Sequence, residues 1–582
     1  MTSRIVNWLS VGMALALILL FFGEGLAFRE SNSITFDEVI HLAAGYSFLA
    51  HGNFPPYMSP PPFIRELCAL PVYLWYRLPF DPTSTSDRSF LYDSSVSADD
   101  IMNLARLPNL VLGTVLVGMV GLWAYRLWGK GAGLLAMSLA ALEPNLIAHA
   151  SLVTTDLGAA LFTFLTLYLL WEYTTHPSWV LLVGLGISIG LALVSKYSTL
   201  IVPVLVALIL LYQSLFGNLA LCPGINEHGK PAPLHSRLFA VGLTLWLVGT
   251  IAYVIITLTY GCEDISVWWN GLRVVREHNK LGHPAFFLGQ YSRGGWWYYF
   301  PVAFALKTPL GSLTLIIASL VFVRSGNAWS LRQACFVLLP VVVWFTIASQ
   351  WRLSIGLRFI LPVYPFLFVA AGRLATVRLR RSWIVPLLLS LAVAGTAVSS
   401  VRVAPHYLAY FNELIGGPAE GYRYLADSNV DWGQDLKSLK AYMDREELPM
   451  IYLSFYGPTP PEYYGIHCQY LPGYWISGLP ADKLPENMHR EVLAISVLNL
   501  HGMWLENKDL YHWLYERTPV AKIGWSIFVY DVTHDADAHL QLARIYSNAN
   551  RPDLAAREIR RVLALEPTNA NAREFRWLRP EQ

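Results

Sequence analysis

Seven charged side chains lie in or beside long apolar stretches of the sequence. They are Asp37, Glu38, Asp156, Lys196, Lys307, Arg352 and Arg358. Charge is unfavourable in such segments, so residues of this kind usually have a function. Two or three carboxylates can provide a general base or a metal site, whereas Lys and Arg can hold a phosphate. The set predicts acid–base chemistry beside a phosphate group.

Simpler explanations remain open for single members of this set. Asp156 and Lys196 could form an ion pair without any catalytic role. Asp37 could cap the helix that begins after Thr35-Phe36. His41, one helical turn after Asp37, is typical of a structural residue at a membrane interface. Ion pairing explains any one pair more easily than it explains the whole set.

The elements that must position these residues are membrane helices. Of 582 residues, 54% are hydrophobic and only 14% are charged, against about 25% charged residues in soluble proteins. A span needs about 20 mostly apolar residues. About eleven such runs precede residue ~402, near 5–23, 105–125, 132–149, 157–173, 179–194, 198–215, 238–258, 299–323, 333–349, 357–372 and 384–401. The net charge of +2 gives no basic field, so no nucleic-acid partner is expected.

Lys and Arg side chains in every second connection predict the orientation. The N-terminus is then cytoplasmic, and the opposite face carries the 24–104 loop, the 259–298 loop and everything after ~402. Within the first loop, apolar spacing predicts surface helices over 36–50 and Ile64–Arg77. Pro55-Pro56 and Pro60-Pro61-Pro62 predict an extended kink between them. This orientation places all seven charged residues near the outer face.

The composition changes after residue 402, which predicts a soluble α/β domain over 402–535. Asp431–Glu447 reads as an amphipathic helix with Asp431 at its N-cap. Met450–Phe455, Val492–Leu498 and Trp525–Val532 read as short buried strands. Residues 536–582 have the small and large spacing of one tetratricopeptide (TPR) repeat, although an ordinary helical hairpin explains them too. A single repeat is expected to pack on its neighbour.

Several motifs resemble the protein O-mannosyltransferase-like branch of the GT-C glycosyltransferases, which includes the lipid A aminoarabinose transferases (glycosyltransferase family 39-like). Asp37-Glu38 and Thr154-Thr155-Asp156 look like the two acidic elements of that branch. The segment 60–65 looks like its His-Pro-Pro-Leu-x-Lys element, with Pro60 in place of His and Arg65 in place of Lys. Segments 306–310 and 358–365 look like further elements. The C-terminal part looks like that of bacterial members with extra periplasmic domains.

The resemblance implies a GT-C transmembrane domain over 1–401, followed by the soluble domain over 402–535 and the TPR-like segment over 536–582. It implies a polyprenyl-phosphate sugar as donor and inversion at the anomeric carbon. Asp37 would be the catalytic base, and Glu38 and Asp156 would position it, the sugar or the acceptor. The donor phosphate would meet Arg65, Lys196 and Arg358, with Lys307 as a further candidate.

The resemblance leaves the acceptor open between protein hydroxyls, a lipid A-like glycolipid and another envelope glycan. A divalent metal between Asp37 and Asp156 occurs in some GT-C relatives, but no His/Cys cluster requires one, so no cofactor is expected. The expected location is the inner membrane of the cell envelope, with membrane lipid around the spans and a protein partner for the TPR-like segment. Rival interpretations are a transporter or flippase of a lipid-linked or anionic substrate, and a non-catalytic scaffold.

Overall fold

The structure is a computed structural model that describes residues 2–52, 61–80, 87–216, 233–262, 265–321, 329–377, 383–474, 483–485 and 488–573. Pro55-Pro56 and Pro60, which carry part of the predicted kink, lie outside the described residues. The described chain divides into two compact units. The first comprises Met1–Glu30, Asp37–His283 and Gly294–Ile415, and the second comprises Ser31–Phe36, Pro284–Arg293 and Gly416–Gln582. The boundaries predicted at 401/402 and 535/536 remain a prediction.

The first unit is helical because its apolar runs are long and carry few helix breakers. Its helices are α1 (Thr2–Ser31), α2 (Phe36–His51), α3 (Phe63–Tyr76), α4 (Asp87–Tyr92), α5 (Ala98–Trp128), α6 (Lys130–Ala141), α7 (Pro144–Ala150), α8 (Asp156–Thr175), α9 (Trp179–Ser195), α10 (Ile201–Phe216), α11 (Leu234–Thr259), α12 (Ser266–Leu281), α13 (Tyr299–Lys307), α14 (Leu310–Val321), α15 (Leu331–Val337), α16 (Leu339–Ala348), α17 (Val363–Gly372) and α18 (Ile384–Val403). Short 3₁₀ helices occupy Tyr197–Leu200, Leu357–Ile360, Arg373–Thr376, Tyr407–Ala409 and Glu413–Ile415.

Within the described residues, each of the eleven apolar runs predicted from the sequence coincides with one helix or with two helices separated by a break. Seven of the described helices, some continued by a neighbouring turn, are long and apolar enough to cross a membrane: Trp8–Ser31, Ala98–Trp128, Asp156–Thr175, Tyr197–Phe216, Leu234–Thr259, Leu331–Ala348 and Ile384–Val403. Two further runs form bent pairs, and the last two form the shorter apolar helices Trp179–Ser195 and Val363–Thr376. The predicted class, a polytopic helical membrane protein with a C-terminal α/β domain, is confirmed.

Two of the predicted spans are broken rather than continuous. The run at 132–149 divides into α6 and α7, which meet at 64°, and the run at 299–323 divides into α13 and α14, which meet at 120°. Proline explains both breaks, since it lacks the N–H of a helical hydrogen bond and its ring clashes with the preceding turn, which kinks or breaks a helix. Pro144 is the first residue of α7, and Pro309 directly precedes α14.

The second unit is built on a five-stranded mixed sheet. Its strands β3 (Ile451–Ser454), β4 (Cys468–Tyr470), β5 (Val492–Ser496), β6 (Ala521–Ile523) and β7 (Ile527–Asp531) lie in the order β4-β3-β5-β7-β6. β3 is parallel to β4 and β5, whereas β7 is antiparallel to β5 and β6. A separate hairpin pairs β1 (Ala285–Phe287) with β2 (Gln290–Ser292). The three predicted strands are present as β3, β5 and β7; the sequence reading missed the other four, each three residues long.

The helices of the second unit are α19 (Pro418–Gly421), α20 (Leu436–Arg445), α21 (Val497–Leu500), α22 (Ala536–Asn548), α23 (Pro552–Leu565) and α24 (Ala570–Arg573), with 3₁₀ turns at Asp427–Asn429, Pro461–Tyr464 and His512–Glu516. The predicted N-cap role of Asp431 is wrong. The helix begins five residues later, and the oxygens of the buried Asp431 carboxyl group accept hydrogen bonds from the backbone N–H of Gly433 and Leu498. These bonds hold the 431–433 turn against the end of β5.

The helical hairpin α22/α23 packs on the sheet, as predicted. The Glu558 carboxylate of α23 accepts a hydrogen bond from the Tyr452 hydroxyl of β3 at 2.9 Å. It also lies 2.7 Å from Nδ1 of His539, whose Nε2 is 3.2 Å from the Glu491 carboxylate. Arg557 bridges the same two glutamates, at 2.7 Å from Glu558 and 2.8 Å from Glu491. This buried ionic network joins the hairpin to the sheet.

Candidate active site

Four of the residues predicted from the sequence meet in one ion-paired cluster of the first unit. Nη1 of Arg358 lies 2.7 Å from Oδ2 of Asp37 and 3.8 Å from Oδ2 of Asp156. Lys196 forms an ion pair with the other oxygen of Asp156. The ion pair between Asp156 and Lys196 that the sequence left open therefore forms, but as part of a four-residue cluster. Two carboxylates and two cations at one place are an arrangement suited to charge-separating chemistry.

Exposure distinguishes the two carboxylates of the cluster. The Asp37 side chain is 28% exposed, whereas the Asp156 side chain is 1% exposed. Burial alone would raise the pKa of Asp37, but the charge and the hydrogen bond of Arg358, together with the nearby His41, outweigh it and hold this pKa below its ordinary value. Asp37 is therefore ionised at neutral pH and is the carboxylate that a substrate can reach.

Helix ends carry all four residues of the cluster. Asp37 lies in the first turn of α2, and Asp156 is the first residue of α8, where a negative charge is favoured by the helix dipole. Lys196 directly follows α9, and Arg358 lies in the 3₁₀ turn Leu357–Ile360. The ring of Phe359 lies under both cations, 4.4 Å from Nζ of Lys196 and 5.4 Å from the guanidinium carbon of Arg358. Cation–π contacts thus hold both cations at one aromatic ring.

Glu38, the neighbour of Asp37, is fully buried and faces a different partner. Its carboxylate accepts two hydrogen bonds from Arg106 of α5, at 2.8 and 2.6 Å, and a third from the Val153 N–H at 2.9 Å. Arg106 also donates to the Arg29 carbonyl oxygen at 2.8 Å. The pair therefore fixes the first turn of α2 to the end of α1 and to the segment that leads into Asp156.

Asn109, one turn after Arg106 on α5, holds the same segment from the other side. Its Nδ2 donates to the carbonyl oxygens of His149, Leu152 and Thr154, at 3.2, 2.6 and 3.2 Å. These carbonyl groups belong to the last turn of α7 and to the irregular stretch between α7 and α8, where helical hydrogen bonds are missing. Arg106 and Asn109 thus position both acidic elements from one helix face.

Arg65 contacts the α2 helix that carries Asp37. Its Nε donates to Nδ1 of His41 at 2.9 Å, and both side chains are buried. Burial, reinforced by the Arg65 charge, lowers the pKa of His41 to about 3, so the imidazole is neutral and can accept this bond. Gly45 permits the close approach of α2 and α3, because a Cβ at this position would lie 2.2 Å from the Arg65 carbonyl oxygen.

Lys307 lies at the break between α13 and α14, where its contacts are with another part of the first unit. Its Nζ donates to the Leu408 carbonyl oxygen at 2.7 Å and lies 4.6 Å from the centre of the Phe411 ring. Its own carbonyl oxygen accepts from Asn145 at 2.7 Å. Asn412 donates to the carbonyl oxygens of Ala305 and Thr308, at 2.6 and 3.0 Å. These bonds satisfy the carbonyl groups that the break leaves without helical partners.

Sequence reasoning missed Arg106, Asn109, Asn145 and Asn412. Arg106 carried a usable signal, because it is a charged residue within the predicted span 105–125. The three asparagines carried none, since an isolated Asn in an apolar run does not reveal which carbonyl groups it will meet. Within the described ranges, no group of three or more His, Cys, Asp or Glu side chains could hold a metal ion. The expectation of metal independence remains a prediction.

Residues 15–226 of the chain match the family described as dolichyl-phosphate-mannose-protein mannosyltransferase. The matched range includes Asp37, Arg65, Asp156 and Lys196. This match confirms the resemblance to GT-C glycosyltransferases of the protein O-mannosyltransferase type that the motifs predict. No curated protein was found to match the chain.

Solved structures of GT-C enzymes resemble the chain at low sequence identity. ArnT from Cupriavidus metallidurans bound to undecaprenyl phosphate is 15% identical, with 90% of this chain and 98% of that chain covered and a TM-score of 0.46. The apo form of ArnT from Cupriavidus metallidurans is also 15% identical, with 91% of this chain and 98% of that chain covered and a TM-score of 0.47. The Archaeoglobus fulgidus oligosaccharyltransferase tethered to an acceptor peptide with the NVT sequon is 12% identical. In that comparison 67% of this chain and 55% of that chain are covered, and the TM-score is 0.41.

Proposed function

We propose that this glycosyltransferase moves a sugar from a polyprenyl-phosphate donor to an acceptor hydroxyl, with Asp37 as general base. The observation that supports the proposal is the partly exposed Asp37 carboxylate in an ion-paired cluster with Asp156, Lys196 and Arg358. A base needs a carboxylate that is ionised and accessible, and a departing phosphate needs cations nearby.

The proposed step is a single displacement. The acceptor oxygen attacks the anomeric carbon and transfers its proton to Asp37. The bond between that carbon and the phosphate oxygen breaks, and the phosphate leaves with the electron pair. Attack from the face opposite the phosphate inverts the anomeric configuration. The products are the glycoside and the free polyprenyl phosphate.

In this scheme the donor phosphate competes with the carboxylates for the cations. Arg358 and Lys196 turn toward the phosphate and stabilise its developing charge. As Arg358 leaves Asp37, the influence that lowers the pKa of this carboxyl weakens, and Asp37 becomes a stronger base. Donor binding would thus prepare the base for the acceptor.

The other predicted residues take supporting roles in the proposal. Arg65 contributes positive charge beside α2 and holds it through His41. Glu38 and Lys307 act through their structural contacts, Glu38 by fixing Asp37 and Lys307 by holding the break before α14. A positioning role is what the sequence predicted for Glu38, whereas Lys307 was predicted to bind the donor phosphate. The geometry favours positioning roles because their side chains are engaged elsewhere.

The proposed location is the inner membrane, with the cluster and the C-terminal part on the extracytoplasmic face and the N-terminus in the cytoplasm. The exposed Cys262, three residues after the end of α11, reports on this orientation. A membrane-impermeant maleimide added to intact cells should label it, and the Cys262→Ser variant should lose that label. Labelling only after the membrane is opened would reverse the orientation. The proposal has three further parts. The acceptor is a protein or a glycolipid, transfer requires no metal, and the TPR-like hairpin binds a protein partner.

The deciding experiment is sugar transfer by the purified full chain with a panel of radiolabelled polyprenyl-phosphate sugars and an envelope extract. The Asp37→Asn variant should bind donor and lose transfer by about 100-fold or more, the usual contribution of a general base. Asp100→Asn, an exposed carboxylate of the same unit, is the matched control and should retain transfer. Full transfer by Asp37→Asn would remove Asp37 as the base. Transfer abolished reversibly by a chelator would contradict metal independence.

A further inference from the structure

Helix α12 carries an exposed basic stripe that the proposed transfer reaction does not use. Arg273, Arg276 and Lys280 are spaced at i, i+3 and i+7, so they share one helix face. All three side chains are exposed. Trp269, one turn before Arg273 on the same stripe, is 55% exposed. Glu277 is the sole acidic residue of this helix, which leaves the stripe positively charged.

A second face of α12 attaches the helix to the first unit. Trp268 is buried, and its Nε1 donates to the Leu193 carbonyl oxygen at 3.3 Å. The Trp268 carbonyl oxygen accepts from the Tyr197 hydroxyl at 3.0 Å. At the other end of the helix, Arg352 donates to the Lys280 carbonyl oxygen at 2.9 Å. The orientation of the basic stripe relative to the rest of the unit is therefore fixed.

A third face of α12 is apolar and exposed. Val274 is 48% exposed and Leu281 is 80% exposed, and their spacing of seven residues places them on one side. A helix that carries both a basic stripe and exposed apolar side chains is typical of the boundary between lipid headgroups and acyl chains. Trp269 fits the same depth, because tryptophan is enriched at membrane interfaces.

The position of α12 in the chain also favours the membrane surface. The membrane-spanning helix α11 ends at Thr259, and α12 begins at Ser266. Six residues extend at most about 20 Å, so the start of α12 stays near the end of α11. The next membrane helix, α13, begins at Tyr299. The helix therefore lies between two elements that return the chain to the bilayer.

We propose that α12 is an interfacial helix whose basic stripe binds the headgroups of anionic phospholipids. The guanidinium groups of Arg273 and Arg276 and the Lys280 ammonium bind phosphate oxygens of the headgroups. Val274 and Leu281 lie at the level of the first acyl carbons. The occupant is an anionic phospholipid of the bilayer rather than the donor lipid, because a bilayer surface offers several phosphates to a stripe about 10 Å long (seven residues at 1.5 Å each).

The test measures which lipids the full chain retains. Protein reconstituted with phosphatidylcholine and phosphatidylglycerol is extracted in mild detergent, and the bound lipids are counted by native mass spectrometry. The variant Arg273→Gln/Arg276→Gln removes two charges from the stripe. Arg423→Gln/Arg445→Gln removes two exposed arginines of the second unit and is the matched control. Arg273→Lys/Arg276→Lys keeps the charge.

Wild type, the control and the Lys variant should retain phosphatidylglycerol in preference to phosphatidylcholine. The Gln variant should bind phosphatidylglycerol at least about fivefold more weakly, since each basic residue near an anionic surface contributes about a fivefold factor. Equal retention by the Gln variant would overturn the proposal. A parallel arm with undecaprenyl phosphate identifies the source of the phosphate. If the Gln variant lost that lipid and kept phosphatidylglycerol, the stripe would serve the donor, and the proposed occupant would be wrong.

Discussion

At the scale of single residues, the candidate site depends on how one arginine is shared between two carboxylates. Arg358 approaches Asp37 more closely than Asp156, and only Asp37 is appreciably exposed. The buried Asp156 keeps Lys196 as its own partner. This division gives the two acids different environments, which is how active sites assign different roles to chemically identical groups.

The pH dependence of transfer should report on the pair of Asp37 and Arg358. A base with a lowered pKa stays ionised as the pH falls, and activity is lost only when the pH drops through that pKa. Transfer by wild type should therefore show no acid limb from Asp37 above about pH 5, because its pKa lies below the ordinary 3.8. In Arg358→Gln, the residual kcat/KM should fall at a higher pH than in wild type.

Arg352→Gln is the control for that experiment, since Arg352 is exposed and lies six residues from Arg358. Its pH profile should match that of wild type. An acid limb that stays in place in Arg358→Gln would show that Arg358 does not set the pKa of the base.

The buried pair of Glu38 and Arg106 should separate stability from catalysis. Arg106→Met leaves the Glu38 carboxylate buried without its main partner and should lower the free energy of unfolding by roughly 3–5 kcal/mol. Thermal unfolding of the purified chain checks this. The double variant Glu38→Met/Arg106→Met should recover much of the stability, because a buried ion pair can be replaced by apolar side chains of similar volume.

Transfer by the same double variant decides whether the pair positions the base. With Asp37 no longer fixed, kcat should remain low while KM for the donor changes little. A double variant that regained both stability and kcat would limit the pair to a structural role.

At the scale of elements, the site depends on helices that approach one another unusually closely. Gly45→Ala places a methyl group where the Arg65 carbonyl oxygen lies, so α2 and α3 must separate. Overpacking of this kind should lower the free energy of unfolding by about 1–3 kcal/mol. Transfer should fall too, because α2 carries Asp37. Gly118→Ala, in α5, meets no atom within 4 Å and is the control for both measurements. An unchanged free energy of unfolding in Gly45→Ala would show that α2 and α3 can separate without loss of stability.

The sequence predicted these elements better than their interruptions. Apolar runs of about 20 residues are long-range averages, so they locate helices reliably. The surface helices at 36–50 and Ile64–Arg77 were found from local periodicity, and the structure has them as Phe36–His51 and Phe63–Tyr76. The breaks before Pro144 and Pro309 depend on what satisfies the freed carbonyl groups. For the break before Pro309 these partners are Asn145 and Asn412, which tertiary packing brings to the freed carbonyl groups.

The sequence predicted which residues belong to the candidate site, but it did not predict which of them contact one another. Charge beside apolar runs predicted four members of the site, and the structure brings these four together: Asp37, Asp156, Lys196 and Arg358. Lys307 gave the same signal and lies elsewhere, because a buried cation can equally be held by a carbonyl oxygen. Residue type and depth in the membrane do not distinguish these two cases.

At the scale of the whole molecule, the second unit is assembled from three separate parts of the chain. Ser33 and Phe36 donate backbone hydrogen bonds to Gln434 and Trp432, at 2.7 and 3.0 Å. Leu288 of the β1/β2 hairpin donates to the Tyr424 carbonyl oxygen at 2.9 Å. A C-terminal truncation at 415 would therefore leave two earlier segments without their hydrogen-bond partners.

The stability of the hairpin α22/α23 should fall as the pH rises from about 6.5 to 9. Burial alone would lower the pKa of His539, but its hydrogen bonds to Glu491 and Glu558 raise it to about 9. A raised histidine pKa gives stability that is complete below the ordinary 6.5 and is lost as the pH passes through about 9. Native-state hydrogen exchange of peptides from 536–565 in the full chain, corrected for intrinsic pH effects, measures this.

His539→Gln should be less stable than wild type at pH 6 and should lose much of this pH dependence. The exposed His512→Gln is the control and should follow wild type. Asp431 contributes in the same direction below about pH 8, because burial raises its pKa from 3.8 to about 8 and stability is lost as the pH rises between these two values. A pH slope that survived in His539→Gln would therefore be attributed to Asp431 and tested with Asp431→Asn.

The separation of the cluster residues along the chain has a consequence for biosynthesis. Asp37 and Arg358 are 321 positions apart. At about 5–20 residues per second, the ribosome needs roughly 15–60 s to make the stretch between them. Throughout that interval the Asp37 carboxylate on α2 lacks its ion-pair partner, the Arg358 guanidinium. A nascent chain thus lacks the complete cluster until its tenth apolar segment has left the ribosome, and release before that point yields a protein without Arg358.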